Sequence, residues 1–225
     1  MIKLSSQTLD ILKNFSGINS NLVIKAGEPL ATISEAKNIM AIANISEQFN
    51  SNFGIYDLNE FISMFSLMQD PELDVTENSI IFKSGRSKAS YRFADESILT
   101  SPKSKITMPQ TDLTVNISAE MLAQVRKAAG VLGHSILSIS GENGVVTLNI
   151  VDPKNSSANS FSLVIDEANA QTETFDLQFM IANLKVLPGD YTVDIAYSSK
   201  LISHWKNTSQ DVQYYIALEK TSSNN

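Results

Sequence analysis

The stretch ISAEMLAQVRKAAGVLG, residues 117–133, decides how the rest of the chain is read. Ser118 is a good N-cap. Leu122, Val125, Ala129 and Leu132 recur at helical spacing, and Gly133 can close the C-terminus, so a helix is expected from Ser118 to Leu132. The same pattern occurs near the start of the chain. Leu4, Ser5, Leu9, Leu12 and Lys13 match Ile117, Ser118, Leu122, Val125 and Arg126 at a constant offset of 113. A first helix is therefore expected from Ser5 to Ile18, with Leu9, Leu12 and Phe15 on its apolar face and Gly17 and Asn19 favouring its end.

Two further segments have helical apolar spacing: Asp57 to Met68, capped by Asp57, and Asp176 to Leu187, capped by Asp176 and stopped by Pro188-Gly189. Tyr56-Asp57-Leu58-Asn59 matches Phe175-Asp176-Leu177-Gln178 at an offset of 119. Short strands fill the intervals. In the first half they are Asn21 to Lys25, Leu30 to Ser34, Ile39 to Ile45, Phe53 to Tyr56, Leu73 to Thr76, Ile80 to Lys83 and Ala89 to Phe93. In the second they are Ser135 to Ser140, Val145 to Ile150, Ser160 to Ile165, Glu173 to Phe175, Tyr191 to Tyr197, Leu201 to Trp205 and Val212 to Leu218. The turns at Lys25–Glu28 and Gly141–Gly144 read as hairpin-like. Shared order, junctions and offsets imply an internal duplication. The expected division is 1–98, a connector at 99–110 containing Pro102 and Pro109, and 111–225.

The 225 residues suffice for two independently cored α+β domains. With 43% hydrophobic and 18% charged residues the chain is a core-forming one. The formal charge of −7 excludes a globally basic nucleic-acid binder. Both halves are acidic, with 10 bases against 12 acids in residues 1–110 and 7 against 12 in 111–225. The absence of Cys excludes disulfides, thiolate metal sites and Cys nucleophiles. Neither a signal peptide nor a membrane-spanning segment is legible, which places the expected protein in a cytoplasm.

Enzyme motifs fail one after another. Ser84-Gly-Arg-Ser-Lys88 lacks phosphate-loop spacing and reads as a strand-to-strand turn. No Gly-x-Ser-x-Gly elbow or His-Glu-x-x-His run occurs, and His134 and His204 have no acidic partner nearby in sequence. Glu72, Asp74 and Glu77 lack the Gly turn and terminal Glu of a calcium loop, so a solvated sheet face is the better reading. Lys13, Arg126, Lys127 and Lys185 sit in the middle or C-terminal parts of expected helices, with Asp57, Glu60, Glu120 and Asp176 near N-termini. Macrodipole complementarity accounts for much of that pattern without a ligand.

The runs LSSQTLDILKNFSGIN, IYDLNEFISMFSLM, ISAEMLAQVRKAAG, MIANLKVLPGDYTV and YYIALE together resemble the sliding clamps of T4-like bacteriophages, in order and over nearly the whole chain. The resemblance implies two similar sheet-plus-two-helix domains, assembled into a homotrimeric ring with helices lining a hole for duplex DNA. It implies tethering of a replicative DNA polymerase, an ATP-driven clamp loader, a part in late transcription with host RNA polymerase, no catalytic residue and no cofactor. The inward cations would be Lys13, Arg126, Lys127 and Lys185, with Lys200 and Lys206 as contributors from strands or loops. The excess acid would then lie mostly outside, where it repels stray DNA.

Subunit pairing would use Ala89, Ser90, Tyr91, Arg92 and Phe93 from one half and Phe161, Ser162, Leu163, Val164 and Ile165 from the other. Partner peptides would dock near Ile98 to Thr111 or the C-terminal strand. Two other readings stand beside the clamp. One is a duplicated-domain phage structural or interaction protein that never encircles DNA; the other is an enzyme whose site is assembled from scattered Asp, Ser and Tyr.

Overall fold

The structure, a computed structural model, describes residues 1–104, 106–155, 157–165 and 174–224. The chain divides into two compact units, Met1–Lys105 and Ile106–Asn225.

In the first unit, α1 (Ser6–Ile18) starts where the Ser5 hydroxyl accepts the Thr8 amide. It buries Ile11, Leu12 and Phe15, and leaves Gln7, Asp10 and Lys13 exposed. Strands β1 (Leu22–Ile24), β2 (Leu30–Ile33), β3 (Ile39–Ala43) and β4 (Phe53–Ile55) follow. The Lys25–Glu28 turn does not make a hairpin: β1 pairs with β4, and β2 with β3. Helix α2 (Leu58–Ser63) is capped by Asp57, which accepts the Asn59 and Glu60 amides, and continues only as a 3-10 turn at Met64–Leu67. Strands β5 (Glu72–Val75), β6 (Ser79–Ser84) and β7 (Ser87–Arg92) form an antiparallel sheet. Its β6–β7 turn is the Ser84–Lys88 run, with Gly85 at φ 55°. Phe61 joins this sheet to α2, its ring 5.5 Å from both Phe82 and Tyr91.

The second unit opens on β8 (Leu113–Ile117) and α3 (Ala119–Leu132), where Ser118 accepts the Met121 amide as Ser5 does that of Thr8. Gly133 closes the helix at φ 70°, a left-handed conformation that favours glycine. Strands β9 (Ile136–Glu142), β10 (Val145–Val151), β11 (Phe161–Ile165), β12 (Phe175–Met180) and, after three strands of a second sheet, β16 (Ser223–Asn224) form a sheet in the order β11-β10-β9-β12-β16. The β9–β10 turn centres on Asn143 and Gly144, at φ 53° and 80°, and Gly141 lies inside β9 rather than in the turn. The second sheet runs β8-β13-β14-β15, with β13 (Tyr191–Ala196), β14 (Ile202–Asn207) and β15 (Val212–Ala217). Trp205, Tyr191 and Tyr214 are fully buried on its inner face.

The helix expected from Asp176 to Leu187 does not form. Residues 175–180 are β12, followed by a single 3-10 turn at Ile181–Asn183. Phe175, Leu177 and Phe179 alternate at period two, all at most 4% exposed, and Leu177 lies opposite Ile139 in the ladder with β9. Asp176 is therefore not a cap: it accepts hydrogen bonds from the Ser138 hydroxyl and the Gln178 amide. The second unit thus has one α-helix among its described residues, and the match to Tyr56–Asn59 is one of sequence and not of structure. Glu173, the start of an expected strand, lies outside the described residues. Among those described, no helix is long and apolar enough to cross a membrane.

Candidate functional site

The exposed face of α1 carries Ser6, Gln7, Asp10, Lys13 and Gly17, that of α3 Glu120, Ala123, Gln124, Lys127, Gly130 and Val131. Each helix buries its apolar stripe, so these polar faces are what either can present to a partner. Lys13 is 3.4 Å from Asp10, one turn earlier on the same helix, an exposed pair worth little. Lys127 is exposed.

Arg126 occupies the position equivalent to Lys13 but behaves differently. Its guanidinium turns back onto the backbone, donating to the Leu184 carbonyl at 2.9 Å and the Val186 carbonyl at 3.1 Å. The Tyr214 hydroxyl accepts the Leu187 amide at 3.1 Å, and the Tyr191 hydroxyl donates to the Leu187 carbonyl at 2.7 Å. Burial pushes both phenols above their usual pKa, so they stay protonated. Side chains thus satisfy the carbonyls of 184, 186 and 187 and the Leu187 amide where helical hydrogen bonds were expected, and Lys185 is an exposed residue of a segment without regular secondary structure. Lys200 is exposed in the β13–β14 turn. Lys206 lies in β14 on the face opposite Trp205, with its ammonium 2.7 Å from Asp194.

On that same face, burial alone would raise the Asp194 pKa, but the Lys206 ammonium and the Thr114 hydroxyl outweigh it and hold the carboxyl below its usual value. His204 stacks on Tyr215 at 4.4 Å, meets Gln213 at 2.6 Å, and has its pKa depressed by burial. His134 meets the Asn159 carbonyl at 2.7 Å. Both histidines are accounted for by local structure. Asp74 pairs with Lys83 at 2.6 Å, and no group of three potential metal ligands exists among the described residues.

β7 and β11 are two of the strands that end a sheet. β7 pairs only with β6 and β11 only with β10 among the described residues. Tyr91 is 6% exposed and points into its own unit, so the outward groups of β7 are Lys88, Ser90 and Arg92. In β11, Ile165 is buried, whereas Ser162 is exposed and Val164 is 50% exposed. An apolar edge of this kind invites another strand.

A cleft of about 220 Å³ lies against β1, β2 and β3, floored by Val23, Ala31, Met40 and Ile42 and walled by Pro102 and Lys103 of the connecting stretch. Thr100 anchors that stretch by donating its amide to Asn21 Oδ1 at 3.2 Å. The residues of this cleft were not identifiable from sequence, because their spacing along the chain shows no pattern. The same holds for Glu47. Its carboxylate accepts the Ser5 amide at 2.5 Å and the Thr8 hydroxyl at 2.7 Å, across some forty residues, and so reinforces the N-terminus of α1.

Two sheet-bearing units, each with a Ser-capped helix near its start and each ending a sheet in an open strand, define a DNA-clamp fold. PCNA from Thermococcus kodakaraensis has the same fold at a TM-score of 0.71 and 13% identity, over 97% of this chain and 99% of that one. Residues 3–101 match the DNA polymerase processivity factor family and residues 114–220 the C-terminal part of the gp45 sliding clamp. The sliding clamp of Vibrio phage KVP40 is 32% identical over 97% of this chain and 99% of its own length. That of Escherichia phage RB69 is 30% identical over 98% of each. The chain belongs to the sliding-clamp family of T4-like bacteriophages, the non-catalytic processivity factors of phage DNA polymerase.

Proposed function

We propose that three copies of the chain close into a ring around duplex DNA and tether the replicative polymerase to it. The observation that carries this reading is the pair of open strands, β7 in one unit and β11 in the other. Pairing β7 of one protomer with β11 of the next is a head-to-tail contact, the kind that builds a ring when its rotation closes, and it covers Val164. In that ring the exposed faces of α1 and α3 line the hole, with Lys13, Lys127 and Lys185 toward DNA and Lys200 beside them. Arg126, whose guanidinium is held by the Leu184 and Val186 carbonyls, is not among them. Lys206, held by Asp194 on the outer sheet face, is left out of the set.

So few inward cations suit a ring that holds DNA by enclosure and needs no tight phosphate grip. The apolar cleft beside the connecting stretch fits a hydrophobic anchor on a partner peptide, from the polymerase or the loader. Membership of the family further supports loading by an ATP-driven clamp loader and tethering of late-transcription factors and host RNA polymerase on DNA, inside the infected cell.

The test is loader-dependent retention on closed circular DNA followed by linearisation. A ring runs off the cut ends, whereas a protein that binds the surface of DNA stays, and that second result would support an interaction protein that does not encircle DNA. The particle mass in solution should be about 74 kDa, three times 24.6 kDa.

A further inference from the structure

We infer that Arg92 of one copy and Ser162 of the next form a polar clasp across the subunit joint, with Asn149 as the positioning residue that turns the Ser162 hydroxyl into an acceptor. The inference rests on the reading that β7 pairs with β11 between copies. Asn149 Nδ2 donates to Ser140 Oγ at 2.8 Å and to Thr147 Oγ1 at 2.9 Å, while its Oδ1 accepts the Ser162 hydroxyl at 2.6 Å. With both ends of its amide engaged, Asn149 is fixed in direction, and Ser162 has committed its one proton. The exposed Ser162 oxygen can then only accept from a neighbouring strand.

β7 presents donors. Its outward row is Lys88, Ser90 and Arg92, and Arg92 takes part in no ion pair among the described residues, although it shares a cleft with Glu77, Asp95 and Glu96. The register of the joint decides which donor meets Ser162. β7 and β11 each pair antiparallel with their neighbour inside the unit, and an antiparallel joint continues both sheets. In such a joint inward residues must face inward ones. Phe161, Leu163 and Ile165 lie opposite the buried Ile150, Leu148 and Val146 of β10, so they form the inward row of β11.

Setting Val164 opposite Ser90 places Ile165 by Ala89, Leu163 by Tyr91 and Phe161 by Phe93, which stacks on the buried Phe53 at 4.6 Å. A slip of two residues sets Ile165 against Ser87 in one direction and Phe161 against Asp95 in the other. Only the first register keeps the inward row apolar throughout, and it puts Arg92 directly opposite Ser162. Opposed residues on one face stand about 4.5–5.5 Å apart at Cβ, which a guanidinium spans with ease. Its charge strengthens the bond to a neutral acceptor.

The test uses the full chain, which contains no Cys, so any disulfide reports an engineered pair. Under mild oxidation Ser90→Cys with Val164→Cys should link neighbouring copies covalently. Lys88→Cys or Arg92→Cys with Val164→Cys should not, because a slip of two residues exceeds the Cα reach of a disulfide, about 7 Å. Because the joint recurs around the ring, Arg92→Met or Ser162→Ala should raise the concentration of half-dissociation by about tenfold, read by sedimentation. The double variant should be no worse than either alone. Asn149→Ala should weaken the ring when Ser162 is present and have no further effect beside Ser162→Ala.

Linkage at a slipped pair would overturn the register and the clasp while leaving the ring. Additive losses in the double variant, or no loss in either single one, would overturn the clasp. Absence of any linkage in a protein that sediments as a 24.6 kDa monomer would overturn the pairing of β7 with β11, and the clasp with it.

Discussion

The Tyr91 hydroxyl in β7 accepts the Asp57 amide at 3.0 Å and donates to the Asp57 carbonyl at 3.1 Å. Asp57 in turn caps α2, so one phenol locks the helix start to the strand proposed as a subunit edge. Tyr91→Phe leaves the amide without its partner and should cost about 1–2 kcal/mol, read as a lower urea midpoint at unchanged m-value. The ring should also dissociate at higher protein concentration than the unaltered protein.

Acid should act on α1 through Glu47. Burial alone would raise its pKa, but the hydrogen bonds from Thr8 and Ser5 outweigh that and hold it below the ordinary 4.5. Because the folded value is depressed, the stabilisation is present above the unfolded value and is lost as pH falls through the folded one. Glu47→Gln should cost about 1 kcal/mol near neutrality. Its deficit against the unaltered protein should shrink below pH 4.5, which urea titrations at a series of pH values would show.

Gly141 faces the Phe175 ring across the β9–β12 ladder, and a Cβ there would stand 2.3 Å from the ring carbon Cε1. A fixed aromatic in a buried sheet has little room to yield. Gly141→Ala should therefore destabilise the second unit by about 1–3 kcal/mol, whereas Gly130→Ala, with open space around its Cβ position, should not destabilise it. Thermal unfolding of the two variants makes the comparison.

Val164 is half exposed on β11, so a charge there should cost the isolated protomer little. In a ring the same charge would be buried against the neighbouring subunit. Val164→Glu should lower the solution mass from about 74 kDa toward 24.6 kDa with unfolding of the protomer nearly unchanged. A trimer that persists would remove β11 from the interface.

The duplication was legible because its marks are local. Ser5 and Ser118 cap their helices at the same offset, with Leu12 and Val125 buried at matching positions, and both caps form as read. Asp57 announced α2, and Ser84–Lys88 announced a turn, through residue types whose chemistry acts within a few positions. The family resemblance rested on many such local marks in order, and the match over both halves of the chain agrees with it.

Asp176 to Leu187 shows where local reading stopped. Leu177, Ile181, Leu184 and Leu187 suit a helix, while Phe175, Leu177 and Phe179 suit a strand, and the sequence carries both periods at once. The choice fell to β9, which offers a ladder of backbone partners, and to Arg126, Tyr191 and Tyr214, which satisfy the segment that follows. All of those partners except Tyr191 lie tens of residues away along the chain. The sequence by itself determined that this is a duplicated α+β clamp with few cations. Only the tertiary structure decided that Arg126 holds two carbonyls and Lys206 a carboxylate, because that depends on which groups folding brings to each one.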